Sequence, residues 1–143
     1  MLFVIIAQLI IINIIKVFWG RPRMRMIETT DGATFQPWYV IGSSMKEKLM
    51  ALGIASEEFK SFPSGHSASA TCIFLLLLLP KINIRFASKK NWLFWGSFLF
   101  VVLVAFSRII MGAHFLTDVT IGCLVTIVII LIANKIFTFY DNL

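Results

Sequence analysis

Charge is scarce in this chain of 143 residues: charged residues make up 14% and acids number only 7, against 59% hydrophobic residues and a mean hydropathy of +0.90. That balance excludes an ordinary soluble domain and assigns the chain to a bilayer. Cysteine is equally sparse. Cys72 and Cys123 both lie inside apolar runs without partner spacing, which argues against a disulfide framework or thiolate metal site and leaves them as small core hydrophobes. There is no internal repeat, and no low-complexity stretch beyond Leu75 to Leu79. The first apolar run lacks a basic leader and a small-residue cleavage site, so it reads as a retained span rather than a signal peptide. No surface of interleaved aromatic and basic residues points to nucleic acid. The net charge of +6 instead suggests positive-inside loops and anionic headgroups or phosphates.

What is present is long apolar runs. Residues 2–19 form the first span, long enough to cross most of a hydrocarbon core, and Gly20-Arg21-Pro22-Arg23 ends it. A wet connection follows to about residue 62. It holds one short interfacial helix, started by the capping box Ser44-Met45-Lys46-Glu47 and left at Gly53; Glu57, Glu58 and Lys60 then read as a solvated turn. The second span, 63–80, opens with small residues that let helices approach closely, and Pro80 closes it. Lys81 to Lys90 holds four basic residues and no acid, which marks a cytoplasmic loop. Trp92 and Trp95 suit an aromatic belt, span three covers 91–107, and span four covers 115–136 with Tyr140 beyond. The expected fold is all-α: an integral membrane helical bundle of about four transmembrane helices plus a short interfacial helix, one membrane-embedded domain over 1–143.

Parity then places the ends of spans one and three and the starts of spans two and four on one membrane face. Every candidate polar motif lies at one of those four places. Ser107-Arg108 and His114-Phe115-Leu116-Thr117-Asp118 stand between spans three and four. On a helix, Asp118 would lie one turn from His114 and could hold one ring nitrogen as a donor, leaving the other free to attack. The Arg108 guanidinium can clamp a phosphate or carboxylate with two hydrogen bonds. Pro63-Ser64-Gly65-His66 opens span two, where proline suits a first turn, glycine permits close backbone approach and exposed amides attract an anion. The chain's two histidines, both in these motifs, read as a nucleophile and a proton donor. Lys16 with Arg21, Arg23 and Arg25 supplies further cations, a weak signal taken alone because such residues usually snorkel.

Together these motifs resemble the type 2 phosphatidic acid phosphatase family, which shares its site with vanadium haloperoxidases. The family pattern is a lysine, six residues, Arg-Pro; then Pro-Ser-Gly-His; then Ser-Arg, five residues, His, three residues, Asp. Lys16 and Arg23 keep the first spacing, Pro63 to His66 and Ser107, Arg108, His114 and Asp118 match fully, and Met24 stands where the family has proline. The resemblance implies a metal-independent lipid phosphatase without a cofactor, working through a phosphohistidine. In that scheme His114 attacks phosphorus, Asp118 orients it and His66 protonates the leaving oxygen, while Lys16, Arg23, Ser64, Gly65 and Arg108 hold the phosphoryl oxygens. It also implies a membrane lipid phosphate as substrate: phosphatidic acid, phosphatidylglycerol phosphate or undecaprenyl pyrophosphate. The site is expected on the outer face of the cell membrane, and the oligomeric state is unspecified. Family members commonly have six spans, so the four read here imply either a compact form or a chain lacking two N-terminal helices. The competing reading is a non-catalytic lipid-phosphate-binding or assembly protein. Intact His66, His114 and Asp118 speak against it, and the apolar composition speaks against a haloperoxidase, since those relatives are soluble.

Overall fold

The computed structural model describes residues 1–42 and 44–140, and every regular element among them is helical. Helix α1 (Leu2–Trp19) ends at Gly20, whose φ of 65° is the left-handed conformation that glycine adopts without a Cβ clash. Two short helices follow, α2 (Met24–Thr29) and α3 (Ser44–Ala51), then a 3-10 turn, Ser56–Phe59. Helix α4 (Gly65–Thr71) continues through a 3-10 stretch, Cys72–Leu78, into α5 (Leu79–Ile82). A second 3-10 turn, Ile84–Lys89, leads to α6 (Lys90–Ile110), and α7 (Leu116–Tyr140) completes the described chain.

Four helical stretches, Leu2–Thr29, Gly65–Ile82, Ile84–Ile110 and Leu116–Thr138, are long and apolar enough to cross a membrane. Their outer faces expose Ile10, Phe18, Leu99, Leu103 and Leu131. Such continuous apolar surface suits lipid and not water. The chain is therefore an all-α membrane bundle, as its composition required.

Pro80 does not close the second span. It sits in the first turn of α5, where a missing N–H is tolerated, and the helix runs on to Ile82. What proline changes is the winding before it. It has no N–H for the Leu76 carbonyl, which accepts from Leu79 N instead, the tighter 3-10 pattern.

Helix α4 packs against α1, α6 and α7. Its small residues make that possible: Ser67, Ala68 and Thr71 are fully buried, and Thr126 Oγ1 of α7 donates to the Ala68 carbonyl at 3.2 Å. At Gly122 a Cβ would lie 2.5 Å from the Ser64 carbonyl oxygen, so α7 can meet the start of α4 only as glycine.

The connection from residue 20 to 62 is more than a wet loop. Met26 of α2, Leu49 of α3 and Phe59 form a small buried cluster with Ala33, Met45 and Ile54 against it. Helix α3 lies where the short helix was expected, but it begins at Ser44 itself; the preceding Ser43 is outside the described residues. Helix α2 was not anticipated. The supposed solvated turn is half anchored: Glu57 is exposed, yet Phe59 is fully buried and Glu58 Oε1 accepts from Arg25 Nη2 at 2.6 Å.

Candidate active site

The α6–α7 junction sets the site's first histidine. Helix α6 ends at Ile110, and Gly112, at φ 62°, turns the chain; its carbonyl accepts from Arg25 N at 2.7 Å, which ties the junction to α2. His114 follows, outside any helix, and α7 opens at Leu116. The expected helical pairing of His114 with Asp118 therefore does not form, because His114 precedes the helix. Its Nδ1 lies 3.8 Å from Asp118 Oδ2, too far for a direct hydrogen bond, and 2.7 Å from the carbonyl oxygen of Ser61. A carbonyl can only accept, so Nδ1 carries the proton and Nε2 keeps its lone pair.

Asp118 is engaged elsewhere. In the first turn of α7 its Oδ2 accepts from Phe115 N at 2.9 Å, the reach-back half of a capping box, and from Ser61 Oγ at 2.5 Å. Its Oδ1 accepts from Arg21 Nη1. Arg21 is only 1% exposed and completes its bonding through Thr117 Oγ1 at 2.9 Å and the Gln36 carbonyl at 2.8 Å, with its guanidinium 4.3 Å from the Phe115 ring centroid. This buried ion pair has the extra hydrogen bonds that burying two charges demands. Ser61, also fully buried, joins the two: its hydroxyl binds Asp118 and its carbonyl binds His114.

Neither Ser61 nor the Arg21–Asp118 pair was legible as such. Arg21 appeared as one cation in a cluster, and Ser61 was not singled out. The one available signal was position, since Ser61 lies three residues before Ser64 in the same polar run.

A cavity of about 890 Å³ receives the other candidates. Lys16, Arg23, Gly65, His66, Arg108 and His114 all line it, although they come from α1, the α1–α2 connection, α4, α6 and the α6–α7 junction. Lys16 Nζ donates to the Lys60 carbonyl at 3.1 Å, and a Cβ on Gly65 would lie 3.4 Å from Lys16 Cε, so the lysine runs close against the start of α4. Arg23 Nε donates to the Glu57 carbonyl at 3.2 Å. Arg108 occupies the last turn of α6, where a cation suits the helix dipole, and its donors meet Ser107 Oγ at 3.4 Å and Met111 Sδ at 2.9 Å. His66 is exposed and makes no side-chain hydrogen bond among the described residues.

Two candidates do not border the cavity. Asp118 is buried behind His114, and the Ser64 hydroxyl turns inward to cap α4, meeting Ser67 Oγ at 2.9 Å. Glu57 and Lys60 do line it, paired at 2.5 Å. The hydrogen bond from Lys60, then its charge, holds the Glu57 carboxyl below the ordinary carboxylate range. Among the described residues no three His, Cys, Asp or Glu side chains gather as metal ligands. The arrangement sets two imidazoles and the cations Lys16, Arg23, Lys60 and Arg108 around one cavity, with Lys60 paired to Glu57.

The PAP2 superfamily pattern matches residues 1–140. The chain belongs to the PAP2 superfamily. Among curated relatives, lipid A 4'-phosphatase of Rhizobium etli is 32% identical over 126 residues, 87% of this chain and 43% of that protein. Phosphatidylglycerophosphatase B of Bacillus subtilis is 37% identical over 71 residues, 48% of this chain and 35% of that protein. Lipid A 4'-phosphatase of Rhizobium leguminosarum is 29% identical over 126 residues, 87% and 48% of the respective chains. The chain thus spans less than half the length of these relatives. No solved structure gives a significant match.

The fold also accounts for the one departure from the PAP2 motif. Arg23 caps α2 in extended conformation and Met24 is its first residue. Proline is favoured at that position because the first N–H of a helix has no intrahelical partner, so methionine there keeps the same backbone.

Proposed function

We propose that this PAP2 protein is an integral membrane phosphatase that removes phosphate from a lipid phosphate or pyrophosphate through a phosphohistidine. The observation that carries the reading is the meeting of His66, His114, Lys16, Arg23 and Arg108, from widely separated motifs, on one cavity. The relatives named lipid A 4'-phosphatase and phosphatidylglycerophosphatase B support a lipid phosphate as substrate.

In this mechanism His114 Nε2 attacks phosphorus and forms an N–P bond as the P–O bond to the lipid breaks. His66 gives its proton to the departing oxygen. Water then loses a proton to His66, attacks the phosphohistidine and releases phosphate, restoring both rings. The Ser61 carbonyl fixes the reactive tautomer of His114, and the Asp118 charge at 3.8 Å favours the positive ring that forms on attack. Lys16, Arg23 and Arg108 face the phosphoryl oxygens, where the spread negative charge of the transition state needs fixed cations. Ser64 acts indirectly, its hydroxyl capping α4 and holding the start of that helix in place. With the cations in that role the reaction is metal-independent. The basic loop of residues 81–90 at the other end of the bundle supports an outer-face site under the positive-inside rule.

The test is phosphate release from a panel of lipid phosphates by detergent-purified protein in EDTA, with His114→Ala alongside. Release by the wild type and none by the variant is expected. Folded wild-type protein that is inactive on every lipid would overturn the reading.

A further inference from the structure

Of the cavity's polar side chains that the phosphate chemistry does not use, Gln8 is the one with a buried, unpartnered donor. Gln8, Ile12 and Lys16 lie on one i, i+4 row of α1 and all three line the cavity. Gln8 is two turns, about 12 Å of helix axis, from Lys16 toward the opposite membrane face. Around them Leu9, Ile73 and Phe100 make the wall mostly apolar, and the polar Asn13 in it donates to the Leu9 carbonyl of its own helix at 2.8 Å. Gln8 is only 1% exposed, its Oε1 has a long contact of 4.0 Å from Cys72 Sγ, and its Nε2 has no hydrogen-bond partner. A buried amide donor with no acceptor is unfavourable, and a substrate acceptor would remove that penalty.

We propose that Gln8 is a specificity residue whose Nε2 donates to an acyl carbonyl oxygen of the bound lipid. The inference rests on the phosphatase reading above and narrows its substrate. With phosphate among the cations near Lys16, the linkage region of an acylated lipid lies next along the row, and its tails follow the apolar wall. An ester or amide carbonyl satisfies Gln8. A polyprenyl chain is hydrocarbon throughout and leaves Nε2 unpaired. The preferred substrate is therefore an acylated lipid phosphate.

The test compares kcat/KM for a diacyl phosphatidic acid and its dialkyl ether analogue, which lacks only the carbonyl oxygens, in wild type, Gln8→Leu and Gln8→Met. Wild type should favour the ester by about tenfold, the worth of one buried hydrogen bond, and both variants should bring the ratio close to one. A wild-type ratio near one, or a preference that survives in both variants, would overturn the inference while leaving the phosphatase intact. If neither lipid is hydrolysed, the rest of the lipid panel decides the phosphatase reading separately. Tryptophan-fluorescence titration of the same proteins then decides the inference: ester-selective binding lost in the variants supports it, and equal affinity for the two lipids overturns it.

Discussion

The two walls of the cavity hold one histidine each and treat them oppositely. On the α7 side His114 is buried, its Nδ1 fixed by the Ser61 carbonyl, with Arg21, Asp118 and Ser61 bonded to one another behind it. On the side of α4 and α6, His66 is exposed without a side-chain hydrogen bond among the described residues, and Arg108 lies near it with only weak acceptors. In the proposed mechanism the attacking atom must be aimed, and aim comes from burial and hydrogen bonds. A proton carrier and a phosphate clamp must adjust to a substrate that arrives and leaves, and burial would prevent that. One wall contributes stability and orientation, the other responsiveness.

Breaking the rigid wall should have the largest effect. Arg21→Met leaves Asp118 charged, buried and uncompensated, at a cost of about 3–5 kcal/mol, whereas Arg108→Met removes a side chain with no buried partner. Thermal melting in detergent should therefore fall sharply for the first and hardly move for the second, with phosphate release lost in both. Equal melting temperatures would show that the walls do not differ in this way.

The next test sharpens the roles of the two rings. His66→Ala should slow release from a lipid phosphate by roughly a hundredfold or more, the usual worth of a positioned acid. The loss should shrink on an aryl phosphate, whose leaving group departs without protonation, while His114→Ala stays inactive on both. If the aryl substrate fails to restore the first step in His66→Ala, read as the burst of aryl alcohol before water attack, that residue is not the acid.

Ser61→Ala should give the smallest change. It deletes the hydroxyl on the charged Asp118 but keeps the carbonyl on His114, so about 2 kcal/mol of stability should go and turnover should fall less than tenfold. A collapse of turnover with an unchanged melting temperature would mean that the hydroxyl, and not the carbonyl, governs His114.

Much of this was readable in the chain before folding. Apolar runs of membrane length announce helices because a bilayer offers backbone groups no other partner, and α1, α6 and α7 lie within a few residues of where those runs placed them. Pro80 misled, since its effect depends on which turn of a helix it occupies, and a 3-10 stretch let the span continue past it. Helix α2 escaped notice because six residues carry too little periodicity; its place is settled by Met26 packing on Leu49 and Phe59, a contact between distant segments.

Motif spacing and helix parity by themselves determined which residues share a membrane face, since each crossing of a bilayer reverses the chain. They identified His66, His114, Lys16, Arg23 and Arg108 as companions, and the cavity unites those five. Spacing could not say which acceptor holds the His114 ring, which arginine neutralises Asp118, or that Ser64 caps a helix beneath the surface. Those bonds depend on differences of about an ångström among groups on the α1–α2 connection, the segment leading into α4, and the start of α7. Only the packed helices decide them, because hydrogen bonds and buried charges are short-ranged and directional whereas hydrophobic patterning is neither.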